Sequence, residues 1–305
     1  MQPKSVQRFL NQIGRRELLN YIQVFEPDLI VCTYPTISSI LGQLRIDRIL
    51  HVPLITVITD YTAHSHWVHP GVDRYMVACT EVREILVSLG VEERRIQVTG
   101  IPISPKFERV LDQREILNKL GLTPELPIYL IMGAEYGGLK GVLRICRKLA
   151  DSLIPVQLIV VCGKNKKLYY SLEEVSSQGR NHVIPFEYVH NVEELMEVSR
   201  LIITKAGGLT TSEALTKHLP MLIFNPIPGQ EEENARFIKR IGAGLVAGSE
   251  EELEQLINHF LSHPEDIELM QKRAAMALPG HSTERAVENM LQLITDLNKV
   301  RQKIG

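Results

Sequence analysis

The chain is short of cysteine, of long apolar runs and of net positive charge. Its four cysteines, Cys32, Cys79, Cys146 and Cys162, stand far apart with no C-x-x-C pair among them. That spacing speaks against a zinc site and for reduced, mostly buried thiols in a cytoplasmic protein. No apolar stretch approaches the length needed to cross a bilayer. The opening "MQPKSVQRFLNQIGRREL" lacks the apolar core of a signal peptide. A soluble chain is expected, one still able to touch a membrane surface. With a formal net charge of -2, there is no global positive field to argue for nucleic acid. Low-complexity tracts are missing too. What remains is a globular composition, 44% apolar and 23% charged, in 305 residues, a length that favours two domains over one.

Short apolar runs alternate with helical patterns throughout. "DLIVCTYP" (28–35), "PLITVITD" (53–60), "RYMVACT" (74–80) and "RIQVTGI" (95–101) predict buried strands, each continuous rather than alternating. The segment 102–127 is richer in Pro and charge and predicts a connector with one helix. The rhythm then restarts with "IYLIMGA" (128–134), "VQLIVVCG" (156–163), "HVIPFEYV" (182–189), "RLIITKAGG" (200–208), "MLIFNP" (221–226) and "AGLVAGS" (243–249). Strands separated by helices imply parallel sheets covered on both faces. The expected architecture is α/β, two Rossmann-like domains whose parallel sheets face a cleft. The boundaries fall at 1–107, 108–281 and a final helical stretch, 282–305, that crosses back to the first domain.

Ligands of parallel sheets bind beyond the carboxyl ends of the strands, so the residues just after each run carry the information. In "TKAGGLTTSEAL" (204–215) a strand, a glycine turn at Gly207 and Gly208 and a hydroxyl-rich helix start form an anion site, with Thr210 and Thr211 toward a phosphate. The ordinary alternative is a βα turn with hydroxyl capping. "GAEYGG" (133–138) offers Gly133, Gly137 and Gly138 for close backbone approach to phosphate. Glu213, a turn into the helix, can accept from ribose hydroxyls or simply stabilise the helix start. In "PGQEEEN" (228–234), Gln230 and Glu231 can meet several sugar hydroxyls, whereas Glu232 and Glu233 suit a solvated helix N-terminus. Asn234 closes that stretch and joins the donor-side candidates.

"TKAGGLTTSEAL" followed by "LPMLIFNPIPGQEEENA", and preceded by "TDYTAHSHW" and "VTGIPI", resembles the monogalactosyldiacylglycerol synthase and processive diacylglycerol glucosyltransferase family. These are GT-B glycosyltransferases related to the enzyme that adds N-acetylglucosamine to the peptidoglycan lipid precursor. The resemblance covers nearly the whole chain. It implies a UDP-sugar on the C-terminal domain and a lipid acceptor on the N-terminal one, at the cytoplasmic face of an anionic membrane surface. By motif, Gly208, Thr210 and Thr211 would meet the diphosphate, Glu213 the ribose, and Gln230 and Glu231 the hexose. Phe186, Glu187 and Tyr188 would frame the uracil, mostly through backbone groups. No cofactor and no metal are expected, since backbone N–H groups and a helix end can stabilise the leaving charge, and no D-x-D pair occurs in the chain.

Two departures stand out. "GIPI" is often followed in this family by an arginine, where this chain has Ser104; Lys106 is near in sequence but is a point charge rather than a fork. Family members also open with a strand, a glycine turn and a histidine. Here a segment of roughly 30 residues or more is expected to be wanting, leaving the flanks of "DLIVCTYP" apolar and unpaired. The acid–base cluster of the first half is "TDYTAHSHWVH", where Asp60 precedes His64, His66, Trp67 and His69. His64 suits a base on the acceptor hydroxyl, with Asp60 behind it, and Trp67 suits either a lipid contact or core packing. The expected reaction is transfer of galactose or glucose from a UDP-sugar to diacylglycerol or a related lipid. The alternatives are a UDP-N-acetylglucosamine 2-epimerase or a non-catalytic nucleotide-sugar-binding paralogue.

Overall fold

A computed structural model describes residues 4–133 and 141–304, without the side chains of 4–14, 298 and 300–304. It divides into two compact units, Met1–Pro102 with Ser282–Gly305, and Ile103–His281. The division falls ahead of the expected 107/108 boundary because Ile103 and Phe107 are buried and the 3-10 turn Pro105–Glu108 packs on a helix of the second unit. Among the described residues no helix is long and apolar enough to cross a membrane.

The first unit carries a parallel sheet in simple order, β1 (Ile30–Cys32), β2 (Leu54–Val57), β3 (Arg74–Val77) and β4 (Ile96–Val98). All four residues of β2 are buried, which is why its run is continuously apolar. Helices α1 (Lys4–Phe25) and α2 (Pro35–Ile46) flank β1 in the chain, the latter started by a proline whose missing N–H costs nothing at a first turn. Arg45 near the end of α2 pairs with Asp73 at 2.7 Å and donates to the Gly71 carbonyl at 2.9 Å, while Asp73 accepts the Leu54 N–H at 2.7 Å. This clamp fixes where β2 and β3 begin. Helix α3 (Thr80–Ser88) returns the chain to β4. Among the described residues β1 is paired only with β2, and its Val31 is 41% exposed.

The final helix, α12 (Ser282–Ile304), belongs to this unit: Ala286 and Leu293 join Ile55, Val57 and Met76 in one cluster. Gly100 makes room for its start. At φ 82, with Ser282 only 2.9 Å from where a Cβ would stand, no other residue fits there without strain.

In the second unit, α4 (Gln113–Leu120) is capped by Asp112, which accepts from the backbone of Arg114 and Glu115, and ends at left-handed Gly121. A six-stranded parallel sheet follows, built from β5 (Ile128–Ile131), β6 (Gln157–Val161), β7 (Val183–Phe186), β8 (Leu201–Thr204), β9 (Met221–Phe224) and β10 (Gly244–Ala247). Its spatial order is β10-β9-β8-β5-β6-β7. The chain thus builds outward from β5 on one side, then returns to lay β8 against β5 and builds outward on the other. The reversal leaves a crevice at the carboxyl ends of β5 and β8. Helices α5 (Val142–Ala150), α6 (Lys166–Gln178), α7 (Val192–Val198), α8 (Gly208–Thr216), α9 (Gln230–Ile241), α10 (Glu250–Ser262) and α11 (Pro264–Ala275) complete the unit. Tyr129, Ile131, Leu158, Val160, Leu201, Ile203, Leu222 and Phe224 face one core on alternate positions of four neighbouring strands.

Candidate functional site

At that reversal point a cavity of about 320 Å³ opens. Every strand from β5 to β9 sends something to it: Met132 and Gly133 after β5, Val161 and Gly163 at the end of β6, Tyr188, Val189 and Val192 after β7, Thr204, Lys205, Gly207 and Thr210 around β8, and Glu231 after β9. Gly133 has φ 88, a left-handed backbone that a side chain disfavours. Gly207 differs. Its φ of -66 and ψ of 139 suit any residue, and a Cβ there would meet no atom of this chain within 4 Å. Glycine at 207 is demanded neither by backbone nor by packing; it leaves room at the cavity wall.

Gly207 is also the N-cap of α8 and supplies no side-chain cap, so the first N–H groups of the helix keep their donor capacity for a ligand. Thr210 lines the cavity beside them, and Lys205 brings a cation from the other side of Gly207. Gly208 and Thr211 are buried instead, the Thr211 hydroxyl without a partner among the described residues. Ser212 donates to the Gly208 carbonyl at 2.9 Å.

Glu213, in the second turn of α8, is not part of the cavity wall. Burial pushes its carboxyl up to about 7, a rise opposed by Lys106 and reinforced by Glu193. Lys106 stands 2.6 Å from the Glu193 carboxylate and donates to the His190 carbonyl at 2.5 Å. Val192, adjacent to Glu193, lines the cavity. Lys106 is thus already paired within its own unit.

In the first unit, the loop after β2 places Asp60 and His64 close enough for the carboxylate to act on the imidazole. The His64 ring is exposed, 5.3 Å from His66 and 6.2 Å from Trp67 between centroids. Partial desolvation, then the His66 charge, lowers its basicity, and Asp60 opposes both. The imidazole is neutral near pH 7, the form that can accept a proton.

Residues 1–103 match the family model described as monogalactosyldiacylglycerol (MGDG) synthase, and residues 140–290 match the glycosyltransferase family 28 C-terminal domain. A processive diacylglycerol beta-glucosyltransferase from Bacillus pumilus is 34% identical over 282 residues, 92% of this chain and 73% of the relative. This chain belongs to the diacylglycerol glucosyltransferase family. A Staphylococcus epidermidis relative of the same name is 32% identical over 286 residues, 94% of this chain and 72% of its own. The structure of MurG from Acinetobacter baumannii superposes with a TM-score of 0.68 at 16% identity, over 93% of this chain and 80% of that one. That likeness is one of fold, GT-B, and the chain is a glycosyltransferase with that fold.

For this glucosyltransferase-family chain, the cavity unites five expected residues: Gly133, Tyr188, Gly207, Thr210 and Glu231. Gly137 and Gly138 lie outside the described residues. Other positions are corrected. Phe186 was expected to offer backbone groups to a base, yet its carbonyl accepts the Cys162 N–H at 2.8 Å within the sheet. Asn234 is wholly buried and donates to the Ala206 carbonyl at 2.9 Å, bracing the 205–207 loop from behind. Gln230 is exposed at the start of α9, away from the cavity wall. Glu231 reaches the wall, with one carboxylate oxygen already accepting the Ile227 N–H at 2.7 Å. Trp67 is 2% exposed; of its two expected roles the structure takes core packing, because its 3-10 turn packs against α2.

Sequence reasoning missed Lys205, Gly163 and the apolar wall of Val161, Val189 and Val192. For Lys205 a signal was present, a basic residue directly ahead of a glycine turn and a helix start. The valines gave none, since a lining valine and a core valine read alike.

Proposed function

We propose that this chain transfers glucose from UDP-glucose to diacylglycerol, releasing UDP and a membrane glycolipid. The observation that carries the reading is the cavity at the β5/β8 reversal, where the open N-terminus of α8, Lys205, Thr210 and a side-chain-free Gly207 converge. That set suits a nucleotide diphosphate: N–H donors and one cation against two phosphates. The apolar valines and the exposed Tyr188 suit the base, and Glu231 suits sugar hydroxyls. The relatives' names, beta-glucosyltransferases acting on diacylglycerol, support the choice of donor and acceptor.

In the reaction the acceptor oxygen attacks the anomeric carbon, whose bond to the diphosphate breaks. The electron pair leaves with UDP, where the α8 N-terminus and Lys205 stabilise it, so no metal ion is required. The acceptor proton passes to His64, neutral near pH 7 and backed by Asp60. Peripheral attachment to the anionic cytoplasmic face of a membrane belongs to this reading, because the acceptor resides there. The test is to incubate the chain with radiolabelled UDP-glucose, UDP-galactose or UDP-N-acetylglucosamine and diacylglycerol vesicles, with and without chelator. Labelled lipid from UDP-glucose, unaffected by chelator, is expected. An isomerised sugar nucleotide without lipid product would replace transfer by epimerisation, and nucleotide binding alone would leave a non-catalytic protein.

A further inference from the structure

Asn234 is a polar residue on the inward side of its helix. The buried positions of α9 are Asn234, Ala235, Phe237 and Ile238, and Asn234 is 0% exposed. A carboxamide in such a place costs free energy unless its hydrogen-bonding groups are used, and asparagine is a weak helix former besides. Its Nδ2 reaches across to the loop ahead of α8, the helix on which α9 packs, and donates to the Ala206 carbonyl at 2.9 Å.

Ala206 is also 0% exposed, and neither it nor Asn234 is part of the cavity wall, whereas Lys205 and Gly207 on either side of it are. The loop thus turns one residue inward between two that face the cavity. The peptide that joins Ala206 to Gly207 is trans, so its C=O and N–H point in opposite directions. A carbonyl drawn toward the interior by Asn234 therefore sends the Gly207 N–H outward, on the side of the wall. No acceptor among the described residues takes that N–H. It stands directly ahead of the open N–H groups of α8 and adds one donor to them.

The orientation needs holding because residue 207 is glycine. Rotating the peptide by half a turn would carry the φ of Gly207 from -66 to a positive value, which glycine tolerates and other residues rarely do. The rotated peptide would set a carbonyl oxygen, not an N–H, against the diphosphate. The missing side chain that leaves room at the wall thus also leaves the backbone free to turn, and a fixed partner for the carbonyl removes that freedom. We propose that Asn234 is a positioning residue of the donor site, holding the Ala206 carbonyl inward so that the Gly207 N–H is presented to the diphosphate, without itself touching the nucleotide. The inference rests on the UDP-sugar reading of the cavity and deepens it.

The experiment compares UDP with uridine, which shares the base and ribose but carries no phosphate, by amide NMR titration of the isotopically labelled full chain. In the parent, UDP should move the Gly207 amide proton downfield, as a charge-assisted bond to phosphate does, and uridine should not. Asn234→Leu, similar in volume but without the donor, should bind UDP weaker by about tenfold or more. It should keep its uridine affinity and lose the Gly207 shift. Asn234→Ala replaces the leucine variant if that fails to fold. Equal losses for UDP and uridine, an unchanged UDP affinity, a Gly207 resonance that UDP leaves unmoved in the parent, or one that it still moves downfield in the variant would overturn the inference while leaving the donor site standing. Where uridine binds too weakly to measure in the parent, the Gly207 resonance decides by itself. A parent chain that binds no UDP would overturn the donor-site reading, and this inference with it.

Discussion

Gly207→Val separates folding from ligand binding at a single atom position. The backbone at 207 is extended, φ -66 and ψ 139, which valine adopts without strain. A Cβ would meet nothing of the chain within 4 Å, so no packing is disturbed. Replacing a glycine N-cap by an apolar residue costs about 0.5 to 1 kcal/mol. Against this, the unfolded chain loses freedom worth about 0.4 to 1 kcal/mol. The two nearly cancel, and a net change of about 1 kcal/mol would move the melting temperature only by about 2 to 4 °C in a domain of this size. Binding is another matter. The added methyls occupy the space in front of the α8 N–H groups, and each hydrogen bond to a charged phosphate is worth about 1.5 to 3 kcal/mol. Losing two of them weakens binding by at least about a hundredfold. Thermal unfolding and UDP calorimetry on the same preparation read both numbers. An unchanged UDP affinity would refute the placement of the diphosphate, and a large fall in melting temperature would refute the claim that position 207 is open.

Glu213→Gln should stabilise the fold in a pH-dependent way. The carboxyl is raised from its unfolded value to about 7, so the native state binds the extra proton between those two values and the parent loses stability as pH rises through that window; the variant should gain about 1 to 3 kcal/mol at pH 8 and little at pH 4.5, read by denaturant midpoints. Lys205→Ala should weaken UDP binding by about 1.5 to 3 kcal/mol and flatten its salt dependence, as measured by titration at two ionic strengths. Trp67→Ala should destabilise the first unit by about 3 to 5 kcal/mol, since it empties a buried indole site; a loss below about 1 kcal/mol in chemical denaturation would return Trp67 to the surface role.

How legible each half was depends on which atoms make its site. In the second unit the groups proposed to meet the ligand are largely backbone: a left-handed glycine at 133, the N–H groups of α8, the bare Cα of Gly207. Backbone position follows from strand order, and strand order follows from apolar runs that the sequence displays openly, so the loops at 133, 188, 205–210 and 231 were found where they are. The failures in that half concern direction. Phe186 and Asn234 sit in the right stretches, but whether a carbonyl faces a neighbouring strand or a ligand, and whether an amide faces a loop's back or its front, is settled by packing that no local pattern encodes.

The first unit shows the same limit at closer range. His64 and Trp67 are three residues apart at one 3-10 turn, and both matched the same motif. A 3-10 turn brings round one residue in three, so spacing alone would put the two side chains on a common face. The structure sends the imidazole to solvent and the indole into the interior. The difference comes from the turn's position. His64 is its extended cap, at φ -136 and ψ 168, whereas Trp67 is its last residue, on the side that packs against α2. Burying the indole anchors the turn, and an anchored turn is what gives a solvent-exposed histidine a fixed place beside Asp60. Burial of the indole thus anchors the turn that presents His64, a tertiary relation that a motif records only as two letters.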